Sequence, residues 1–175
     1  MTKTRDDLFR FLEGLGIRTE TTEHPPLHTV GESRHLRGVI TGGHTKNLFV
    51  KDKKGRIFLV VAEETREVDL KRLHARIGAQ GRLSFASAEL MGELLGVSPG
   101  SVTAFGVLND SQGRVTVVLD EGLLAHDILN CHPMTNEATT SIRRDDLLRF
   151  FEATDHAPLI RPLEASVDDE QEPQA

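Results

Sequence analysis

Six apolar residues in succession, Ile57-Phe58-Leu59-Val60-Val61-Ala62, constrain the fold of this chain more than any other feature. The run is far shorter than the roughly 20 residues that span a bilayer. Its β-branched and aromatic content reads as a strand buried inside a sheet. Just before it, Asn47-Leu48-Phe49-Val50 is a second short apolar segment, and Lys51-Asp52-Lys53-Lys54-Gly55-Arg56 forms a polar turn between them. Together they predict a hairpin. The same pattern recurs from Val102 to Leu108, through Asn109-Asp110-Ser111-Gln112-Gly113, to Val115–Leu119, and predicts a second hairpin.

Helices surround these segments. Thr4 with Asp7 three residues later is a capping-box pair, and Leu8, Leu12 and Leu15 follow at helical spacing until Gly14 and Gly16 end the pattern. Residues 17–22 alternate weakly, as a strand would, and His24-Pro25-Pro26 forbids a helix there. Two helices are expected near 69–77 and 87–95, and a last amphipathic one from Arg143 to Ala153. The echo of Arg5-Asp6-Asp7-Leu8 in Arg144-Asp145-Asp146-Leu147 is explained by two helices using the same good helix formers. The order of helix, strands, helices, strands, helix predicts an α+β fold, one domain over residues 1–161 with a mixed or antiparallel sheet flanked by helices. Strand and crossover helix do not simply alternate, which argues against a doubly wound sheet. Residues 162–175 are acidic, lack apolar periodicity and read as a disordered tail.

Composition narrows the function classes. A hydrophobic share of 38% and a charged share of 27% fit a soluble globular chain. The single cysteine, Cys131, allows no internal disulfide, and the first residues lack a signal-peptide pattern, so a cytoplasmic setting is expected. The net charge of −6 is concentrated, because five acids stand in the last twelve residues and the remaining body is nearly neutral. Such a body can still present a basic face to a polyanion. Lys46, Lys51, Lys53, Lys54 and Arg56 cluster in sequence, as do Lys71, Arg72, Arg76 and Arg82; ordinary solvated charge explains either cluster equally well. With no tryptophan or tyrosine, a broad base-stacking platform of the single-strand-binding kind is not expected. Phosphate-binding glycine loops are absent, and the one G-x-S-x-G string, Gly96-Val97-Ser98-Pro99-Gly100, stands between an expected helix and an expected strand, not at the strand-to-helix turn of a nucleophile elbow. His24 and His28 have a metal-pair spacing, but the prolines between them break the helix that would align them, so no metal or other cofactor is expected. Cys131 and His132 are adjacent and would face opposite ways in an extended segment, which makes a thiol–imidazole dyad a poor reading. Neither a membrane nor DNA is an expected partner.

Three segments are more specific: Thr45-Lys46-Asn47-Leu48-Phe49-Val50-Lys51-Asp52, then Ser98-Pro99-Gly100-Ser101-Val102-Thr103-Ala104-Phe105-Gly106, then Cys131-His132-Pro133-Met134-Thr135-Asn136-Glu137-Ala138-Thr139-Thr140. In this order, and preceded by His24-Pro25-Pro26 and Thr29, they resemble the YbaK/ProX family of editing domains associated with prolyl-tRNA synthetase, over residues 4–155. Within that family the chain is similar to the free-standing deacylases of alanyl-tRNA(Pro). The resemblance implies an ester hydrolase acting in trans on the acceptor end of tRNA(Pro) carrying a small amino acid, with prolyl-tRNA synthetase as a further partner. Family members tend to carry proline where this chain has Ala104, which bears on substrate choice more than on chemistry.

The expected chemistry is simple. A pocket shaped for proline discriminates against a smaller amino acid by only about 1–3 kcal/mol per missing methylene, so a second site must hydrolyse the wrong product. Backbone N–H groups of Gly100, Ser101 and Val102 are placed to stabilise the oxyanion of the attacked ester without a side-chain nucleophile. Lys46, at the mouth of a strand, can hold the terminal phosphate. The resemblance adds His132 as a group orienting water or ribose, and Asn47, Thr29, Ala104, Phe105 and Asn136 as substrate contacts. Arg82, Lys71 and Arg72 are candidates for the tRNA acceptor stem. A relaxed deacylase of Cys-, Ser- or other small aminoacyl-tRNAs remains an alternative reading, as does a non-catalytic tRNA- or synthetase-binding module.

Overall fold

The computed structural model describes residues 1–26 and 30–163. Thr29 and most of the acidic tail (164–175) lie outside the described residues.

Helix α1 (Arg5–Gly14) begins with the expected reciprocal cap: the Asp7 N–H donates to the Thr4 hydroxyl, and the Thr4 N–H donates to the Asp7 carboxylate at 2.8 Å. Strand β1 (Thr19–Glu23) follows, then helix α2 (Val30–Val39). Strands β2 (Gly43–Lys51) and β3 (Ile57–Glu63) form the predicted hairpin, with Asn47 opposite Val61. Helices α3 (Leu70–Ile77) and α4 (Ala88–Leu95) flank the two-residue strand β4 (Ser84–Phe85). After them come β5 (Val115–Asp120), β6 (Ile128–Cys131), β7 (Ala138–Arg143), helix α5 (Arg144–Ala153) and β8 (Leu159–Arg161).

The eight strands of the described residues form one mixed sheet in the order β1-β7-β6-β2-β3-β5-β8, with β4 added beside the far end of β2. The pairs β1–β7, β7–β6 and β2–β3 are antiparallel; β6–β2, β3–β5 and β5–β8 are parallel. Alternation along β3 feeds two cores. Leu59 and Val61 pack with α1, α4 and α5, where Phe150 meets Phe105 and Phe11 edge-on at 5.3 and 5.9 Å. Phe58, Val60 and Ala62 pack on the other side with Leu73 and Ile77 of α3.

The second expected hairpin does not form. Val102–Leu108 is not a strand: Ala104–Asn109 is a 3-10 helix, capped by the Thr103 hydroxyl, which accepts the Phe105 N–H at 3.3 Å. The physical reason is that Ala104 through Leu108 are all buried, so the run is apolar on every side and carries no period that separates strand from helix. Gly106 lies close to Leu95, 3.0 Å from where its Cβ would be. β5 therefore pairs with β3 and β8. The Asp110 carboxylate still shapes the turn, accepting the N–H groups of Arg114 and Val115 at 3.0 and 2.7 Å and facing His156 Nε2 at 2.9 Å. Helix α2 and the β6–β7 hairpin lie outside the sequence expectations.

The two halves of the sheet meet where β2 runs beside β6, and glycine makes the approach possible. A Cβ on Gly43 would stand 2.6 Å from the His126 ring, and one on Gly42 (φ +107°) would stand 2.8 Å from the Ile128 carbonyl. Gly43→Ala should therefore lower stability by about 1–3 kcal/mol in urea unfolding. Gly14→Ala, at the open end of α1 with nothing near its Cβ, should be neutral or stabilising by up to about 1 kcal/mol.

Candidate active site

The site begins at the junction of β2 and β6. The strands pair over two positions only, Gly43 with Leu129 and His44 with Asn130. Asn130 locks the junction: its side-chain amide donates to the Thr41 carbonyl (3.0 Å), its side-chain oxygen accepts the Ser141 hydroxyl (2.5 Å), and its carbonyl accepts the Thr45 hydroxyl (2.7 Å). Beside this lock is a cavity of about 150 Å³, lined by His44, Thr45, Glu64, Cys131, His132 and Thr139 among others, with Leu36 of α2 against it. Drug-sized pockets run to roughly 300–1,000 Å³; this one suits a single small group.

The polar lining has assignable hydrogen positions. His132 Nδ1 lies 3.1 Å from the Ala138 carbonyl, which can only accept, so the neutral ring carries its proton on Nδ1 and leaves Nε2 as an acceptor. Burial is the largest influence on this imidazole and holds it below the ordinary 6.5; nearby His24 and His44 act in the same direction, while the Ala138 carbonyl and Glu64 oppose them. His24 Nδ1 lies 2.8 Å from the Pro25 carbonyl and its Nε2 lies 2.8 Å from the Thr139 hydroxyl. His44 donates from Nε2 to the Ile40 carbonyl at 3.0 Å. Cys131 is 2% exposed, and burial pushes its thiol up to about 11, which makes it a poor nucleophile.

Lys46 is two residues from His44 on the same face of β2, about 7 Å along the strand. Its ammonium donates to the Arg66 carbonyl. Arg66 is tied in turn to Asp120 at 3.2 Å and Glu63 at 3.6 Å, which fixes the loop that Lys46 touches. Asn47 faces the opposite side of β2, with Phe49, and its Oδ1 is buried with no hydrogen-bond partner among the described residues. The glycine loop is tied to the segment after β6. Thr103 donates its hydroxyl to the His132 carbonyl at 2.5 Å, and Asn136 Nδ2 lies 3.7 Å from where a Gly100 Cβ would be. The Ser101 N–H closes the turn on the Ser98 carbonyl at 3.0 Å. Among the described residues no backbone oxygen accepts from the Gly100 or Val102 N–H.

The other residues singled out from sequence are spread more widely. Ala104 and Phe105 are wholly buried behind the loop, Phe105 against Phe150. Lys71 and Arg72 start α3, on the same side of the sheet as Lys46; Arg72 pairs with Asp69 at 3.7 Å. Arg82 is exposed between α3 and β4. Sequence reasoning missed His44, Thr45, Glu64 and Thr139 as cavity residues. Had β2 been extended back to Gly43, strand alternation would have placed His44 on the face of Lys46; Thr139 stood inside the third motif without a role of its own, and Glu64 carries no local signal.

The comparisons with known proteins agree with one another. The family described as aminoacyl-tRNA editing domain matches residues 24–150. Prolyl-tRNA synthetase associated domain-containing protein 1 of Danio rerio is 44% identical over 162 residues, covering 89% of this chain and 85% of its own. Prolyl-tRNA editing protein ProX of Acetoanaerobium sticklandii is 37% identical over 143 residues, covering 81% and 87%. A solved structure described as a proposed trans-editing enzyme for prolyl tRNA synthetase superposes with a TM-score of 0.71 at 21% identity, covering 95% of this chain and 100% of that one. At that identity the likeness shows the fold alone. No helix among the described residues is long and apolar enough to cross a membrane.

The depressed His132 has a thermodynamic consequence. Below the ordinary 6.5 the unfolded chain takes up a proton that the folded ring resists, so stability falls as pH drops from 6.5 toward the lowered folded value. His132→Asn should lack this part of the pH dependence in urea midpoints measured between about pH 5 and 7.5.

Proposed function

The chain belongs to the aminoacyl-tRNA editing domain family, and from that premise we propose that it hydrolyses the ester of mischarged tRNA(Pro), Ala-tRNA(Pro) first among its substrates. The reading is carried by the small polar cavity whose half-buried His132 keeps Nε2 free of a proton in its neutral form. An alanyl group enters such a cavity, and His132 Nε2 orients the attacking water. Lys46 exchanges the Arg66 carbonyl for the terminal phosphate and so sets the ester against that water. As the carbonyl carbon becomes tetrahedral, the Gly100 and Val102 N–H groups stabilise its oxyanion. Ser101, whose N–H closes the turn, shapes the loop instead of donating directly. The ribose oxygen then leaves with a proton, releasing alanine and free tRNA.

Asn136 and Thr29 contribute substrate contacts, whereas Asn47, turned to the face of β2 opposite Lys46, does not reach the ester. Ala104 and Phe105 form the wall behind the glycine loop, and the small side chain at Ala104 bears on which amino acids are admitted. Lys71, Arg72 and Arg82 guide the acceptor stem. Prolyl-tRNA synthetase is the natural supplier of the substrate, and the cytoplasm the natural setting.

Release of the amino acid from Ala-, Cys-, Ser- and Pro-tRNA(Pro) tests this directly. Ala-tRNA(Pro) should be hydrolysed fastest and Pro-tRNA(Pro) spared. Preference for the cysteinyl or seryl ester would point to the relaxed deacylase, and no hydrolysis at all to a binding module. Rapid loss of proline would contradict proofreading altogether. Lys46→Ala should lower kcat/KM by about 100-fold or more, the scale expected when a substrate is mispositioned, without shifting the unfolding midpoint by a comparable amount.

A further inference from the structure

Arg18 and Arg143 face each other across neighbouring antiparallel strands, since the pairing of Thr19 with Ile142 places them opposite when continued by one residue. Both are exposed. Like charges directly opposite destabilise a strand pair, and among the described residues neither guanidinium has an ion-pair partner. They stand at one end of a groove of about 590 Å³, floored by the outer face of β1, β7 and β6 and walled by the end of α2. Thr22, Thr41 and Ser141 put hydroxyl-bearing residues along it, and Glu20 offsets part of the arginine charge.

The groove leads into the candidate active site. Thr22 in the groove pairs with Thr139 in the cavity wall. Alternation puts Arg143 and Thr139 on one face of β7, four residues or about 13 Å apart. The register of His44 with Asn130 places that face on the same side of the sheet as Lys46.

We propose that this groove binds the phosphate backbone of the nucleotides immediately preceding the esterified terminal one, with Arg18 and Arg143 each taking a phosphate. The inference rests on reading the cavity as the seat of the aminoacyl ester. Two exposed arginines with no ion-pair partner among the described residues present a local positive field that favours an anion, and a strand whose 3′ end lies in the cavity brings one along the groove floor. The Thr22 and Thr41 hydroxyls donate to phosphate or ribose oxygens, while Ser141 keeps its proton on Asn130, and the absence of aromatic residues among those lining the groove fits contact with backbone rather than with bases. Glu20 limits the grip, so the groove positions a substrate that must leave after hydrolysis.

The test is binding of uncharged tRNA(Pro) by fluorescence anisotropy across a salt series, with release of alanine from Ala-tRNA(Pro) measured in parallel. Arg18→Gln/Arg143→Gln should weaken binding about tenfold at low salt. It should also reduce the log–log salt slope by about 1.4, two contacts at roughly 0.7 each for single strands. In the parallel assay KM should rise more than kcat falls. Arg18→Lys/Arg143→Lys should restore both affinity and slope, which a merely structural role would not do. Unchanged affinity and slope in the glutamine variant would overturn the groove while leaving hydrolysis by the wild type intact. Loss of binding to prolyl-tRNA synthetase with tRNA binding retained would also overturn it and assign the groove to a protein partner. A wild type that binds tRNA through these arginines but releases no alanine would keep the groove as an RNA site and sink the hydrolase reading.

Discussion

The close approach of β2 to β6 is the constraint on which the rest depends. Two residue pairs join the halves of the sheet there, and both Gly42 and Gly43 are needed because a side chain at either would strike β6 or the His126 ring. So short a junction would be weak on its own. Asn130, itself only 2% exposed, reinforces it with bonds to Thr41, Ser141 and Thr45. Buried polar groups that are fully bonded to one another specify one arrangement, since any other leaves some of them unpaired.

Because the junction ends after two pairs, it also creates the cavity. His44 and Thr45 come from β2, Cys131 and His132 from the end of β6, Thr139 from β7, and Glu64 from the loop after β3. The sheet divides the labour. Helices α1, α4 and α5 with their phenylalanines fill one side, so most of the apolar stabilisation is gained away from the chemistry. The other side carries the histidines, Lys46, the start of α3 and the Arg18–Arg143 groove. A chain of net charge −6, nearly neutral outside its acidic tail, thus gathers cations on the face where a polyanion would lie.

Much of this was legible in the sequence where the information is local. The cap at Thr4 and Asp7, the β2–β3 hairpin and the positions of α3, α4 and α5 follow from neighbours a few residues apart. The 102–108 segment was not, because five buried apolar residues in a row look alike as strand or helix. Helix α2 has few apolar residues, with glycine at 31 and 38, and β6 finds its partner β2 some 85 residues away in sequence, at the Thr45–Asn130 bond. The site divides along the same line. Lys46, the glycine loop and His132 stood out through their motifs, yet the strand period puts Asn47 on the face away from Lys46. His44, Glu64 and Thr139 become cavity residues only once the long-range register is known.

The most direct measurement is a crystal structure of the protein with a 5′-phosphorylated adenosine carrying alanine through a 3′ amide, which cannot be hydrolysed as an ester. The alanyl group is expected in the cavity between His44 and His132, with the amide within hydrogen-bond reach of His132 Nε2 or of the Gly100–Val102 loop, and the phosphate on Lys46 in place of the Arg66 carbonyl. Binding of the analogue elsewhere, or with Lys46 still on the Arg66 carbonyl and the cavity empty, would contradict the site.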